Sequence, residues 1–301
     1  MSLPSNKPMD AQPGDADVAG YTRLPVRAWR DGKLSVVEDC VAEETPVALV
    51  YNGEPHVVMM ATPGDLEDFA LGFSFSEDVI ADAAEMQSLE VFRHEGTNGP
   101  GGPSYEIRMR IPAQRHEVLL GRRRNLHGRT GCGLCGAETI ADAIRSPRHV
   151  GAGVPVTTAA LRRAQDELRR RQTLNGLTGA THAAAWATPD GAVQLVREDV
   201  GRHNALDKLI GALLRERRDT TRGFAVVTSR ASYEMALKAA MAGIPLLAAI
   251  SAPTAYAIRV AEEAGLTLIG FARGDSFVIY ACPARVLDAG PRSAGTEGNA
   301  A

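Results

Sequence analysis

The sequence predicts an α/β protein whose main sheet is covered by helices on both faces and is preceded by a smaller strand-rich region. In the second half of the chain, short apolar stretches alternate with segments whose apolar residues recur at helical spacing. Strands that are apolar on both faces are typical of a largely parallel sheet buried between helices. In the first half, apolar runs are instead joined by short turns, which is the pattern of antiparallel hairpins.

The strand-rich first half contains three predicted units. "TPVALVYNGEPHVVMMATP" consists of two apolar runs joined by a turn at Asn52 to Pro55, which predicts a hairpin. "GDLEDFALGFSFSEDVI" predicts a helix, because four apolar residues keep helical spacing: Leu66, Phe69, Ala70 and Phe73. "EVFRHEGTNGPGGPSYEIRMRIP" predicts a second hairpin with a loop rich in Gly and Pro.

The second half repeats a strand-then-helix unit. "AVQLVRED" precedes a helix whose apolar residues follow the i, i+3, i+4 pattern, "GFAVVTS" precedes "RASYEMALKAAMAG", and "IPLLAAISAP" precedes "TAYAIRVAEEAG". "LTLIGFARG" and "SFVIYA" close the series. Ligands of such sheets bind beyond the carboxyl ends of the strands. That edge is expected to carry Asp199, Thr228, Ser229, Arg230, Ser251 and the loop that starts at Phe271.

Charge and hydropathy exclude two classes of function. The 301-residue chain contains 33 Lys and Arg against 36 Asp and Glu, so no overall positive field favours nucleic-acid binding. The longest apolar runs are shorter than the ~20 residues that a membrane helix needs. The N-terminus lacks the basic and apolar regions of a secretory signal. We therefore expect a cytoplasmic protein with neither nucleic acid nor a membrane as partner.

Composition also sets the predicted domain boundaries. Residues 1–20 and 287–301 contain few side chains that can form a core, and we expect both to be disordered tails. Between them we expect a smaller N-terminal α+β domain over residues 21–125. A larger α/β domain is expected over residues 126–286.

Two of the four cysteines, Cys132 and Cys135, form a CxxC motif in the glycine-rich stretch "RTGCGLCGAET". The following "AETIADAIRS" has helical spacing, so the thiols are predicted at a helix N-terminus, where amides and nearby arginines favour the thiolate. Three interpretations remain open. A structural zinc site needs four ligands, and the sequence offers no second CxxC. Thioredoxin-like chemistry needs a preceding strand, which is weak here. A nucleophile that carries sulfur as a persulfide agrees best with the glycines and arginines.

Polar residues are also concentrated in "REDVGRHNALDKLIG", between a predicted strand and a helix. Asp199 alone is best interpreted as a helix cap. Arg202, His203 and Asn204 are interpreted as a site, because polar groups at a strand end are costly to bury unless they are paired.

Three further turns contain candidate binding residues. "TSRASYE" and "ISAPTAY" place Ser229, Arg230 and Ser251 at strand-to-helix turns, where capping is the default role and phosphate binding the alternative. In "GFARGDS", Phe271 can stack on a base and Arg273 can pair with phosphate.

In their order and spacing, "RTGCGLCG", "REDVGRHNALDKLIG", "TSRASYEM" and "GFARGD" closely resemble the FdhD family of formate dehydrogenase accessory sulfurtransferases. The resemblance covers roughly residues 21–286. It implies a cytidine-deaminase-like three-layer α/β domain with a smaller N-terminal domain. It also implies a function: sulfur is received from a cysteine desulfurase and passed to the molybdenum cofactor in its bis(molybdopterin guanine dinucleotide) form, before that cofactor enters formate dehydrogenase.

The resemblance also implies roles for particular residues. Cys132 is the expected persulfide carrier, with Cys135 as its partner. The expected cofactor-binding segment is Phe271, Ala272, Arg273, Gly274, Asp275 and Ser276. The chain departs from the family pattern after Arg-Gly-Asp, where Ser276 and Val278 replace a basic residue and an asparagine, and this departure affects the expected phosphate contacts. Because the cofactor has two nucleotide ends, a homodimer is expected.

Two alternatives were weighed against this interpretation. A cytidine deaminase needs a His-x-Glu or Cys-x-Glu element upstream and a proline before the CxxC, and the sequence has neither, since Gly131 precedes Cys132. The second alternative is a non-catalytic chaperone that binds the molybdenum cofactor through its nucleotide ends. In that case the CxxC binds zinc or shapes a loop, whereas the sulfur carrier needs no metal.

Overall fold

The structure, a computed structural model, describes residues 20–96, 102–124, 145–274 and 276–287. The first half contains β1 (Tyr21–Arg30), β2 (Lys33–Ala42), β3 (Thr45–Tyr51), β4 (Glu54–Ala61), α1 (Leu66–Ser76), β5 (Ser88–His94), β6 (Ser104–Arg110) and α2 (Ala113–Arg124). The second half begins with β7 (Val156–Thr157), α3 (Thr158–Arg171), α4 (Thr173–Thr178), β8 (His182–Ala187) and β9 (Val193–Asp199). It continues with α5 (Arg202–Arg215), β10 (Phe224–Val227), α6 (Tyr233–Met241), β11 (Leu246–Ala249), α7 (Ala255–Ala264), β12 (Thr267–Arg273), β13 (Ser276–Ala281) and β14 (Val286–Leu287).

The N-terminal half forms a four-stranded sheet and a separate two-stranded ribbon. The sheet has the order β4-β3-β6-β5, and both predicted hairpins are present as antiparallel pairs within it. The first hairpin turns at Asn52 and Gly53, both at positive φ, as a two-residue hairpin turn requires. One face packs on α1 through a core that includes Leu49, Phe69 and Ile107. The ribbon pairs β1 with β2 and is called the arm.

The main sheet has six strands in the order β13-β12-β11-β10-β8-β9. Strands β10, β11 and β12 are parallel to one another, and β8 and β13 are antiparallel to them. Strand β9 has the same direction as β10. Helices α5, α6 and α7 cover one face of the sheet and α3 covers the other. The predicted α/β fold class, with three layers and a smaller strand-rich region, is confirmed. Among the described residues, no helix is long and apolar enough to cross a membrane.

Some elements differ from the sequence patterns. The stretch before the CxxC, which has only weak strand character, forms helix α2. Strand β8 reads "HAAAWA" and lies inside the sheet between β10 and β9, although alanine is a poor strand former. Burial on both faces decides its conformation, since all its residues except His182 are buried.

The two halves are held together by a close crossing of α1 and α5. A Cβ atom added at Gly72 would lie 1.8 Å from the carbonyl oxygen of Asp207, and one added at Gly211 would lie 1.8 Å from that of Asp68. Both positions therefore exclude every side chain, because backbone atoms occupy the space. The crossing fixes the N-terminal sheet against the main sheet.

Buried charges lie beside this crossing. The Lys238 ammonium contacts Asp207 Oδ2 at 2.9 Å and Glu77 Oε1 at 2.7 Å, and it donates to Ser76 Oγ at 3.0 Å. Burial disfavours the charged form of Lys238, but Asp207 and Glu77 outweigh burial and raise its pKa. The ammonium stays charged and links α1, α5 and α6.

We predict that Gly211→Ala lowers the free energy of unfolding by about 3 kcal/mol or more, because the new Cβ must push α1 away. Gly176→Ala in α4 is the matched control, since nothing lies within 4 Å of a Cβ there. The control is expected to change stability by about 1 kcal/mol or less. Urea unfolding followed by circular dichroism measures both, and equal stability of the two variants would contradict the prediction.

Candidate functional site

The candidate site is the edge of the main sheet where β9, β10, β11 and β12 end. Each of the first three strands leads into the helix that follows it, so the N-termini of α5, α6 and α7 all lie at this edge. Helix N-termini present unpaired backbone N–H groups and a positive dipole end. Strand β8 begins at the same edge with His182, opposite Asp199. The edge is therefore suited to anionic ligands.

The polar residues after β9 divide into two groups, the first of which is buried and paired within the protein. Asp199 and Lys208 are fully buried, with 2.7 Å between Oδ2 and Nζ. Asp199 also accepts hydrogen bonds from the backbone N–H groups of Thr62 and Gly201. The Asn204 amide donates to Met60 O at 2.9 Å and to Asp199 Oδ1 at 3.0 Å. Both N–H groups of Asn204 are thus engaged internally and are not free for a ligand.

The second group lies at the surface of the edge. His203 Nε2 lies 2.6 Å from Glu234 Oε2, so the first turns of α5 and α6 are joined by a half-buried pair. Arg202, beside it, is half-buried, and its buried Nε has no hydrogen-bond partner among the described residues. Burial, together with the nearby Arg202 and His203, lowers the pKa of His182, which favours its neutral form.

The loops after β10, β11 and β12 form one continuous surface. Ala231 forms a bridge with Pro253, and the backbone N–H of Thr254 donates to Ala231 O. The backbone N–H of Phe271 donates to Ser251 O at 3.2 Å. The Arg273 guanidinium donates to Ile250 O at 2.9 Å. The predicted residues Arg230, Ser251 and Phe271 to Arg273 are thus brought together, although they come from two loops and the end of β12.

Phe271 has an unusual backbone conformation. Its φ is +52°, in the left-handed region, and its ring is 45% exposed. A register shift between Gly270 and Arg273 interrupts the pairing of β12 with β13 at this point. Non-glycine residues at positive φ cost free energy and are concentrated at functional sites. An aromatic ring held outward in this way is available to stack on a planar ligand.

The remaining predicted residues have varied positions. Arg230 and Arg273 are exposed, as are Gly274 and Ser276, whereas Ala272 is buried and can contribute only its backbone. Ser229 is buried, and its hydroxyl donates to Arg230 O, which is a local turn role. Asp275, Cys132 and Cys135 lie outside the described residues.

Ion pairs hold the residues on both sides of the CxxC segment (residues 125–144). Before it, Arg122 pairs with Asp78 at 3.0 Å; after it, Arg148 pairs with the same carboxylate at 2.8 Å. Burial disfavours ionisation of Asp78, but the two guanidinium groups outweigh it and lower its pKa. The backbone N–H of Arg145 donates to Tyr233 Oη at 2.9 Å. Since Tyr233 begins α6, Arg145, the first described residue after the CxxC segment, lies at the same edge of the sheet.

Comparisons with known proteins identify the family of this chain. A model of the FdhD/NarQ family matches residues 42–287. The chain belongs to the FdhD/NarQ family. It is 57% identical over 267 residues to the sulfur carrier protein FdhD of Xanthomonas euvesicatoria pv. vesicatoria (strain 85-10), a match that covers 88% of this chain and 92% of that protein. It is 49% identical over 276 residues to the sulfur carrier protein FdhD of Cupriavidus necator, covering 92% and 93% of the two chains.

One solved structure supports the fold of this FdhD/NarQ family member. A crystal structure described as that of a formate dehydrogenase accessory protein from Desulfotalea psychrophila matches with a TM-score of 0.67 and 24% sequence identity. The match covers 89% of this chain and 100% of that one. The α/β architecture is therefore that of a solved protein.

Sequence reasoning missed His182, Tyr233 and Glu234. Tyr233 and Glu234 are the last two residues of the stretch "TSRASYE", but their contacts are with Arg145 and His203, which are distant in sequence. His182 precedes a run of alanines and carries no motif. No sequence signal could have placed it beside Arg202.

We predict that Asp199→Asn destabilises the protein by about 3 kcal/mol or more, because the Lys208 charge would remain buried without its counter-charge. Asp190→Asn is the matched control, since the pair of Asp190 with Arg163 is exposed and worth under about 1 kcal/mol. Chemical denaturation of both variants gives the comparison. A stable Asp199→Asn protein would show that the buried pair does not hold the edge together.

Proposed function

We propose that this protein is a sulfur carrier that receives sulfur from a cysteine desulfurase and delivers it to the bis(molybdopterin guanine dinucleotide) form of the molybdenum cofactor for formate dehydrogenase. The observation that carries the proposal is that Arg145, which follows the CxxC segment in sequence, is hydrogen-bonded to Tyr233 at the edge that presents Phe271, Arg273 and three helix N-termini. The names of the relatives support the carrier role. In this proposal the protein acts in the cytoplasm, where thiols stay reduced.

Cys132 is the proposed sulfur-bearing residue. Its thiolate attacks the outer sulfur of the desulfurase persulfide, forming a new S–S bond on Cys132 and releasing the desulfurase cysteine as a thiolate. The sulfane sulfur is transferred from the desulfurase cysteine to Cys132, and its oxidation state does not change, so no external oxidant is needed. Cys135 lies ten residues before Arg145, so a fully extended chain would keep it within about 35 Å of that anchor. Cys135 either shares the sulfur or expels it by forming a disulfide.

The proposed cofactor contacts follow from the geometry of the edge. The Phe271 ring would stack on a guanine base, while Arg273 and Arg230, both exposed, would pair with phosphate oxygens. Arg202, with its unpartnered Nε, lies beside the N-terminus of α5, which also favours anions. Two guanine nucleotide ends on one ligand would suit a homodimer, with one edge from each subunit.

We predict that Cys132→Ala protein gains no sulfur when it is incubated with a cysteine desulfurase and cysteine. Cys40→Ala, which removes a half-buried cysteine of the arm, is the control and is expected to gain sulfur normally. Intact-protein and peptide mass spectrometry under non-reducing conditions locates the added sulfur, and a reductant should remove it. Formate dehydrogenase maturation should fail only with Cys132→Ala.

The same experiment distinguishes the chaperone alternative. Wild-type protein that gains no sulfur, but holds zinc that is lost when either Cys132 or Cys135 is replaced, would make the non-catalytic chaperone the better account.

We predict that Phe271→Ala weakens the binding of a guanine nucleotide by about 5- to 150-fold, the range expected for the loss of one base stacked on an aromatic ring. Val278→Ala serves as the control, because Val278 is equally exposed, at 45%, on the neighbouring strand β13. Isothermal titration calorimetry with GDP compares them. Equal affinities for the two variants would remove Phe271 from the proposed site.

A further inference from the structure

A cavity of about 490 Å³ lies beside strand β9, where the two halves of the chain meet. Its walls are the loop between β4 and α1, the end of α3 with the start of α4, and β9 itself. This volume lies in the range of small-molecule sites, about 300–1,000 Å³. Among the described residues, none of those predicted to bind the molybdenum cofactor lines this space. It is therefore a separate candidate site, called the β9 cavity.

Two side chains of the β9 cavity have hydrogen-bond donors that the described chain does not use. Thr62 is 2% exposed; its hydroxyl accepts from the backbone N–H of Val200 at 3.1 Å, and its own hydrogen has no acceptor among the described residues. The exposed guanidinium of Arg170 has no hydrogen bond or ion pair within the described part of the chain. Its neighbour Arg171, in contrast, donates to Val193 O. The Thr62 hydroxyl and the Arg170 charge are thus available to a ligand.

The N-terminus of α1 adds backbone donors to the same wall. Asp65 is the N-cap residue of this 11-residue helix, has a φ of +53° and makes no capping hydrogen bond with its side chain. The first N–H groups of α1 therefore lack the usual side-chain acceptor. They also lie at the positive end of the helix dipole, which favours negative charge.

The carboxylates in the wall of the β9 cavity are already balanced by the protein. Glu198 accepts two backbone N–H groups at the start of α4, both at 2.8 Å, and the Thr181 hydroxyl at 3.0 Å. Asp65 Oδ1 lies 3.6 Å from Arg197 Nε, so a guanidinium faces its charge. The unused groups of the wall are therefore mainly donors. A ligand that satisfies them must supply acceptors, and beside Arg170 the favoured acceptor is an anionic group.

The same cavity has an apolar part. Leu174, which is 4% exposed, and the half-buried Val196 both line it. Contact with these side chains favours a ligand that has a carbon skeleton, because a bare inorganic ion gains nothing from apolar surface.

We propose that the β9 cavity binds a small organic anion. Its phosphate or carboxylate group is held by Arg170, the Thr62 hydroxyl and the N-terminus of α1. Its carbon skeleton lies against Leu174 and Val196. The proposal does not rest on sulfur transfer, since the β9 cavity shares no residue with the predicted cofactor contacts among the described residues.

The position of Thr62 gives such a ligand a structural effect. The backbone N–H of Thr62 donates to Asp199 Oδ2 at 3.0 Å, and Lys208 Nζ donates to Thr62 O at 3.0 Å. A ligand that holds Thr62 therefore supports the buried ion pair beneath the candidate site. Because it binds the folded state, it is expected to raise the melting temperature.

Arg170 has one other physical explanation. It lies in the last turn of α3 with Arg169 and Arg171, where cations stabilise the helix dipole. In that role Arg169 and Arg170 would contribute equally to stability, and neither would affect the binding of an anion. Arg169 does not line the β9 cavity, so it is the matched control for Arg170.

Anion titration of the full-length chain tests the proposal. Glycerol 3-phosphate and citrate are the two probes, one for each anionic group, and KCl at equal ionic strength is the reference. At least one probe is expected to raise the melting temperature of the wild type above the reference. Isothermal titration calorimetry should show that Arg170→Gln binds this probe about tenfold or more weakly, whereas Arg169→Gln binds it like the wild type.

Three outcomes of this titration would overturn the proposal. The first is that neither probe stabilises the wild type beyond KCl. The second is that Arg169→Gln and Arg170→Gln lose affinity equally, which would indicate unspecific attraction to the arginines of α3. The third is that affinity falls in Arg273→Gln and not in Arg170→Gln, which would place the anion at the proposed cofactor edge.

A second pair of variants tests the cavity without changing α3. Nothing lies within 4 Å of a Cβ atom added at Gly64, and its φ lies outside the left-handed region, so a side chain fits there without strain. Gly64→Glu and Gly64→Gln differ in charge and are nearly equal in size. The Glu variant is expected to bind the probe about tenfold more weakly than the Gln variant, because its carboxylate repels the anion. Equal affinities would contradict the proposed location.

The two proposals fail separately. Loss of sulfur loading on Cys132 would leave the anion titration unchanged, and an empty β9 cavity would leave the persulfide experiment unchanged.

Discussion

The buried ion pair between Asp199 and Lys208 is the interaction on which the candidate site depends. Asp199 ends β9, Lys208 lies on α5, and both contact the backbone of Thr62, which follows β4. Removing two charges from water costs several kcal/mol for each ion, and this cost is offset only when every partner is in place. The pair therefore permits a single arrangement of β9, α5 and the N-terminal sheet. Arg202 and His203 lie between its two members in sequence, so their positions at the sheet edge follow from it.

A second buried cluster extends this control to Arg145, the first described residue after the CxxC segment. Lys238 joins Asp207 on α5 to Ser76 and Glu77 at the C-terminus of α1. Glu77 also pairs with Arg145, the first described residue after the segment. Cations near a helix C-terminus are favoured by its dipole, which adds to these ion pairs. The position of Arg145 is thus determined by charges close to the Gly72 and Gly211 crossing.

The sequence predicts the periodic elements well and the buried polar network poorly. The hairpin of β3 and β4, helix α5 and strand β10 all follow from local pattern, and the edge that carries Arg230, Ser251 and Phe271 follows from strand direction. Asn204 was interpreted as a site residue because polar groups at a strand end are costly to bury. Its partners are Asp199 nearby and Met60, which lies 144 residues away, and no local pattern reveals the latter. The left-handed φ of Phe271 could not be predicted from the sequence either, because it accompanies an irregularity in the pairing of β12 with β13.

Helix α5 carries side chains at the sheet edge and side chains in the core. Substitutions in these two groups are expected to have different effects on stability and on ligand binding. Its first turn holds the half-buried Arg202 and His203 at the sheet edge, whereas Asp207 and Lys208 face the core. A substitution in the core would lower stability and ligand binding together, because the edge loses its support. A substitution in the first turn would lower ligand binding alone. Loss of formate dehydrogenase maturation therefore identifies a site residue only when the free energy of unfolding is unchanged.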